Sequence, residues 1–453
     1  MDVSDSLQHG RLTRRDVRTL LLAALGGTLE FYDFIVFNFL TAEIGALFFP
    51  KSAPGAARLA TLGIFVAGYF ARPLGGIAMA HLGDRTGRKR MFMLSVLLMA
   101  APTLAIGLLP TFAQIGFAAP LLLLAMRLLQ GAAIGGEAPG AWVFVAEHMP
   151  PGRVGLACGL LTGGLTGGIL LGSLVATWLH AAFTQEVILD WAWRIPFLIG
   201  GVLGVVAMQL RRWLNETPVF AAMQARRTFA ELPLRTVLAE RRGAVAASML
   251  VSWMLTAVIV TFILRTPEIM KGLHPVNAAV EAQSTTDTAG INTERALQGS
   301  VAATLFLSLA TAGVGWLLDR FGAALVGVTV GAALIASGYA LYRYADAGTL
   351  VPLHALVGAG AGLVTIVPFT MVRIFPANVR ITGVSFCYNM VYAISSGVTL
   401  YLLEWGVARD PLFPAHYVAI AVVVGIAAAL YGETLARRAA TDGTGLAAPL
   451  EIR

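Results

Sequence analysis

Long apolar runs separated by short polar loops dominate the chain from Val17 to Leu435. A helix needs about 20 mostly apolar residues to cross the hydrocarbon of a bilayer. Backbone groups in lipid must be paired within the segment, so runs of this length read as helices. The short alternating segments of a membrane barrel are absent. Six spans are expected in the first half, at roughly 18–46, 57–82, 90–109, 115–147, 154–180 and 193–214. Six more are expected in the second, at roughly 242–265, 298–318, 323–345, 350–373, 380–404 and 412–435.

Composition agrees with this pattern. The chain is 57% hydrophobic and 13% charged, against about half and a quarter in a soluble domain. Its net charge of +7 does not point to nucleic acid, because the basic residues cluster in loops, as cytoplasmic loops do. The stretch from Arg211 to Arg242 is long and basic, with Arg211, Arg212, Arg226, Arg227, Arg235, Arg241 and Arg242, and is placed in the cytoplasm. The stretch from Thr266 to Gln298 is poor in Lys and Arg and falls outside by parity. An even span count returns the tail, with Arg437 and Arg438, to the cytoplasm. The first run follows a basic leader, Arg11 to Arg18, is too long for a signal peptide and lacks a cleavage site. It is therefore retained, with a cytoplasmic N-terminus. Cys158 and Cys387 have neither metal-site spacing nor a disulfide framework. The expected organisation is an N-terminal bundle over residues 1–210, a cytoplasmic linker over 211–241 and a C-terminal bundle with its tail over 242–453.

The halves echo each other. Gly83-Asp84-Arg85-Thr86-Gly87-Arg88-Lys89-Arg90 follows the second span, and Gly315 to Gly322, with Asp319-Arg320-Phe321-Gly322, follows the eighth. Glu147-His148-Met149-Pro150 leads to Arg153 after the fourth span, and Arg373-Ile374-Phe375-Pro376 leads to Arg380 after the tenth. Two echoes in matching order imply a duplicated six-helix unit, an arrangement that puts a solute site between the repeats near the bilayer midplane.

With Asp84-Arg85-x-Gly87-Arg88-Lys89 between its second and third helices, the chain resembles the major facilitator superfamily. Ala80 stands where that signature has a small Gly. Further motifs are similar to those of the metabolite:proton symporter family. They are Glu30-Phe31-Tyr32-Asp33-Phe34, Arg72-Pro73-x-Gly75-Gly76, Arg127-x-x-Gln130-Gly131 with Gly135-Gly136-Glu137, Trp193-Arg194-Ile195-Pro196-Phe197, Glu216-Thr217-Pro218-x-Phe220, and Tyr388-Asn389. The resemblance spans Glu30 to Asn389. It implies an all-α polytopic membrane protein of twelve transmembrane helices in two pseudo-symmetric bundles. It also implies proton-coupled uptake of organic acids such as oxoglutarate, citrate and shikimate, or of zwitterions such as proline and betaine. Two departures stand out: Arg373 where the family has an acid, and Ala323 and Ala324 where it has a basic cluster. They are expected to compensate, with Glu147 facing Arg85 or Arg88 and Arg373 facing Asp319.

The chemistry is expected inside the membrane. Glu30 and Asp33 are three residues apart in the first span, on one face. An intramembrane carboxylate is costly and seldom incidental. In general, burial favours the neutral form of such a group and a neighbouring guanidinium the ionised form, so it can load and release a proton as its surroundings change. Asp33 lies deeper and is the preferred proton-coupling residue; the alternative is a static ion pair. Arg127 can grip a substrate carboxylate or tune Asp33 and Glu30. Glu137 reads as a second protonation site or a buried structural acid. Arg72 reads as an anion site or as the anchor of a proline kink. Tyr32, Asn38, Tyr388, Asn389 and Tyr392 can hydrogen-bond a solute or merely join helices. Asp84, Arg85, Gly87, Arg88, Glu147, Asp319 and Arg373 read as a rim latch, and the resemblance implies that Asp84 caps the eleventh helix. Gly131 and Gly135, and Gly163, Gly164, Gly167, Gly168 and Gly172, suit close helix packing.

Neither glycine run is a phosphate loop, since no Lys-Ser or Lys-Thr follows. No enzyme motif, cofactor or metal site is expected. The expected partners are a small solute, protons and the lipid bilayer of a bacterial inner membrane, with the chain working as a monomer. Two other functions compete. A proton-driven exporter of drugs or toxic metabolites would be expected to carry Gly-Pro in the fifth helix, where Gly163 to Gly172 has no Pro. A non-transporting receptor or scaffold would not need intramembrane acids.

Overall fold

In the computed structural model, residues 13–50, 54–86, 88–212, 233–273 and 291–441 are described. Twelve spans are found among them, where hydropathy expects them. They are α1 (Arg14–Phe39), α2 (Pro54–Thr86), α3 (Arg88–Leu108), α4 (Ala118–His148), α5 (Val154–Ala182) and α6 (Ile195–Arg212). After these come α7 (Arg242–Leu273), α8 (293–321), α9 (323–344), α10 (Leu350–Ile374), α11 (Arg380–Val407) and α12 (Phe413–Thr441). Large apolar side chains such as Phe70, Leu74, Leu121, Val202, Leu309 and Tyr401 are exposed around the outside. An apolar surface of this extent belongs against lipid.

Local chemistry explains where the ends differ from expectation. Thr13 and Asp16 form a reciprocal capping box, which starts α1 at Arg14 rather than near residue 18. Leu40 breaks the helix, so the tail of the expected first span is a separate short helix, Thr41–Phe48. Residues 293–344 run together except at Gly322, whose φ of +76° only glycine adopts without strain and which separates α8 from α9. The middle of α7, Ile259–Arg265, is wound as a π-helix. This wider turn frees main-chain acceptors, and His354 of α10 binds one of them, the Phe262 carbonyl, at 2.6 Å.

Within the first six helices, α1 packs on α5 and α6, and α2 on α4. The last six close on themselves through α7 with α12 and α8–α9 with α10. The two groups meet along α5 with α8 and α11 with α2 and α4. Helix starts and ends rich in arginine, among them Arg14, Arg153, Arg212, Arg242 and Arg438, share one end of the molecule, called here the basic end.

Glycine makes the close crossings. In the first bundle, a Cβ on Gly131 would strike the Gly68 carbonyl, and one on Gly135 the Arg72 carbonyl. Between the bundles, Gly155 of α5 rests on the Gly315 backbone of α8, and Gly159 rests on that of Thr311. A Cβ at Gly159 has no flexible side chain to push aside. Gly159→Val is therefore expected to leave a folded protein whose bundles cannot meet at the basic end. Solute counterflow in vesicles should fall on the order of tenfold or more; unimpaired counterflow would show that the seam opens without need of that contact.

Candidate functional site

The first group of functional side chains lies inside the first bundle. Asp33 is 1% exposed, and its carboxyl fills the space left by Gly200 on α6 and borders the Thr103 methyl on α3. Neither carboxyl oxygen has a hydrogen-bond partner among the described residues. Thr103 accepts a hydrogen bond from Gln130 Nε2 at 2.7 Å, and Gln130 in turn accepts one from Arg127 at 2.9 Å. Arg127 also donates to the Phe34 carbonyl at 3.1 Å and lies over the rings of Phe34 and Phe37. This chain of contacts runs from Arg127 through Gln130 to Thr103, the neighbour of Asp33.

Glu30 and Glu137 share a different partner. Arg211 stands 2.9 Å from Glu30 and pairs with Glu137 more closely still, while Ser95 donates to the second Glu137 oxygen at 2.5 Å. The expected linker began at Arg211; that residue is instead the buried end of α6, 2% exposed. The signal was present in the sequence: Gly200, Gly204, Ala207 and Arg211 repeat at helical spacing and form one buried face.

The second group lies between the bundles. Arg72 is buried, with its guanidinium 4.4 Å from the Tyr392 ring centroid and within 5.5 Å of those of Tyr388 and Tyr69. Its Nε donates to Asn389 Oδ1 at 3.2 Å, whereas Nη2 is buried without a hydrogen-bond partner among the described residues. Asn389 donates to the Gly135 carbonyl at 2.5 Å, and so ties α11 to α4. Tyr69 and Tyr392 stack across the interface with centroids 5.8 Å apart. Tyr69 was not anticipated; it stands one turn before Arg72 on the same helix face. Tyr32 departs from expectation. Its hydroxyl donates to the Pro196 carbonyl at 2.7 Å, which turns it into the first bundle, against α6 and away from the interface. Asn38 is half-buried near the far end of α1.

At the rim a partner appears that was not expected, while the expected Arg85 and Arg88 side chains lie outside the described residues. Glu147 of α4 forms a buried ion pair with Arg380 of α11 at 3.0 Å, joining the two bundles. Arg373 lies over the Phe369 ring and interacts electrostatically with Asp319, the residue it was expected to face. Asp319 accepts from the backbone N–H groups of Gly155 at 2.6 Å and Leu156 at 2.8 Å. These are unpaired donors in the first turn of α5, where a carboxylate also meets the positive end of the helix dipole. Asp84 and Arg88 stand near the adjoining ends of α2 and α3. Gly87, the side chains of Asp84, Arg85 and Arg88, and the Glu216–Phe220 motif lie outside the described residues.

The bundles are thus joined from the basic end to the middle. At the opposite end a cleft of about 730 Å³ separates Thr41 and Ala42 from Ile269, Leu273 and Leu403. Arg265, in ion pairs with Glu268 and Glu404, lines its second-bundle wall. Among the described residues no group of His, Cys, Asp and Glu has the geometry of a metal centre.

Comparison with known proteins gives a consistent answer. The sequence pattern of the family described as Major Facilitator Superfamily matches residues 19–400. A proline/betaine transporter of Salmonella typhimurium is 27% identical, over 96% of this chain and 87% of that protein. A citrate-proton symporter of Klebsiella pneumoniae is 30% identical, over 92% and 91%. The inner membrane metabolite transport protein YhjE of Escherichia coli is 29% identical, over 86% and 87%. Among solved structures, the proton:xylose symporter XylE superposes with a TM-score of 0.73 at 16% identity, over 92% of this chain and 95% of that one.

Proposed function

The chain belongs to the major facilitator superfamily and is a polytopic membrane transporter; from that premise we propose that it takes up a small carboxylate-bearing metabolite together with protons, by alternating access. The observation that carries this reading is the Asp33 carboxyl, enclosed in the first bundle beside Thr103 with no cation paired to it among the described residues. An ionised carboxylate in such a place is strongly disfavoured. A protonated one is stable, and it releases its proton when the surroundings admit water or a cation. The Thr103–Gln130–Arg127 chain supplies the link by which a rearrangement of α4 reaches that carboxyl.

Arg72 is the candidate grip for the solute. Its Nη2 is buried at the interface of the bundles with no hydrogen-bond partner among the described residues, where a carboxylate would complete a charge-assisted pair. Tyr69, Tyr388 and Tyr392 present aromatic faces to the rest of the molecule. Arg72→Lys keeps the charge and loses the fork. The KM for the transported acid is expected to rise about 10- to 100-fold, the worth of one hydrogen bond to a charged group. An unchanged KM would remove Arg72 from the binding site.

The orientation follows from charge. The basic end is assigned to the cytoplasm, so both termini are cytoplasmic and the structure is closed inward, with its cleft facing out. The membrane is assigned as a bacterial inner membrane, the chain acts as a monomer, and residues 1–210 and 242–453 are the two moving bundles. The deciding experiment is uptake into proteoliposomes under an imposed inward proton gradient. Labelled oxoglutarate, citrate, shikimate, proline and betaine form the panel. Accumulation of one of them that an uncoupler abolishes supports the reading. Efflux of cationic dyes with no uptake of the panel would assign the same fold to export.

A further inference from the structure

Two carboxyl groups and one guanidinium are enclosed together in the first bundle, toward its basic end. Glu30 is 1% exposed, Glu137 0% and Arg211 2%. One Arg211 nitrogen, Nη2, faces Oε1 of both carboxyls. Gly26 makes room for the guanidinium, since a Cβ there would lie 3.3 Å from Arg211 Nε. Among the described residues, the groups that face Glu30 are Asp33 on its own helix, Glu137 on α4 and Arg211 on α6, with Ser95 of α3 behind Glu137. Glu30 Oε2 is buried and has no hydrogen-bond donor among the described residues, while the Glu137 carboxyl lies within reach of Glu30.

One positive charge does not balance two negative ones in a site closed to water. A carboxylate oxygen without a donor is the costly element. A single proton on this pair removes both faults: it brings the cluster of Glu30, Glu137 and Arg211 from a net charge of −1 to zero and supplies the missing hydrogen. Glu30 lies one turn from Asp33 toward the basic end and on the same face, a rise of about 4.5 Å.

We propose that Glu30 and Glu137, held together by Arg211, form a second proton-binding site that receives the proton from Asp33 and passes it to the basic end. The transfer takes a proton from the Asp33 carboxylic acid to a Glu30 carboxylate oxygen. Asp33 is left ionised and the cluster neutral. Loss of that proton to water at the basic end restores the cluster's charge of −1. Arg211 acts as a positioning residue, because it keeps two like charges in contact. The relay rests on the proton-coupled reading above, but the site's occupancy by a proton does not depend on which solute is carried.

Infrared difference spectroscopy of the full chain in lipid, titrated with pH alone, tests it. The carbonyl band of a protonated carboxylic acid is expected to persist in Asp33→Asn and to vanish from Glu30→Gln/Glu137→Gln in the Asp33→Asn background. Arg211→Gln should enlarge the band, since without the guanidinium the pair carries −2 and needs two protons, not one, to be neutral. Glutamine imitates the protonated side chain, so these variants should fold; if the double replacement does not, Glu137→Gln alone must still remove the shared proton's band. A band missing from Asp33→Asn, or unchanged when both glutamates are replaced, overturns the proposal. Transport separates this from the Asp33 reading. Glu137→Gln should keep counterflow and lose proton-driven accumulation by tenfold or more, and accumulation equal to wild type overturns the relay. If Asp33→Asn still accumulates solute while the band behaves as expected, the Asp33 reading fails and the second site stands.

Discussion

Asp33→Asn is expected to abolish uphill accumulation while solute counterflow continues. Asparagine has the shape of the protonated carboxyl but cannot release a proton, so the variant should shuttle loaded solute in either direction without being driven. For one proton per solute, an imposed gradient of about two pH units sustains about 100-fold accumulation, each tenfold step being worth about 1.4 kcal/mol. The variant should settle at equal concentrations inside and out. Two controls give this result its meaning. Thr103→Val removes the hydroxyl that joins Gln130 to the neighbourhood of Asp33, and should weaken coupling without ending it. Counterflow measured on the same vesicles distinguishes an uncoupled carrier from a misfolded one. Undiminished accumulation by Asp33→Asn would mean that the driving proton binds elsewhere.

The second large effect is conformational. Glu147 and Arg380 are buried together between α4 and α11. Removing one member of such a pair costs about 3–5 kcal/mol, because the other charge is left without compensation in a dry site. The pair exists only while the basic end is closed, so Glu147→Gln penalises that state alone. At about 3 kcal/mol the balance between closed and open forms shifts roughly 100-fold. Cys158 reports the shift. It is fully buried in α5, close to Asp319 and Arg373, and opening of the basic end exposes it. In a Cys387→Ser background, alkylation of Cys158 by a membrane-permeant maleimide is expected to accelerate by up to that factor. Glu147→Met/Arg380→Met removes both charges and should bring the rate back toward wild type. A rate that Glu147→Gln leaves untouched would mean that the pair does not hold the bundles together.

Hydropathy located the spans because the physical requirement is coarse: a stretch either is or is not apolar over the thickness of a bilayer. The Glu30 and Asp33 pair was legible for the same reason, since two acids within an apolar run have no ordinary explanation. Partner choice was not legible. Helical spacing says which side of Glu147 faces inward, but Arg380 is 233 residues away, and nothing local points to it. Arg211 failed differently. An arginine at the end of a span can extend to water or turn inward, and the loop charge pattern suggests the first. Only the helical repeat it shares with Gly200, Gly204 and Ala207 indicates the second. Asp319 was read as a charge seeking a charge. It found backbone N–H groups that the sequence did not indicate, with Arg153 and Arg373 acting on it as well.

The seam between α5 and α8 has a kinetic consequence. Where Gly155 meets Gly315, and Gly159 meets Thr311, the touching surfaces are largely main chain. Bundles that rock over such a line, where the hydroxyls of Thr166 and Ser308 are a small side-chain contact across it, need flip few rotamers, so the seam behaves as a smooth bearing with little friction of its own. The barrier to each half-turn then resides in the few charged catches at the rim, Glu147 with Arg380 and Asp319 with the head of α5. Turnover speed can be retuned there by single substitutions, without reshaping the axle on which every cycle depends.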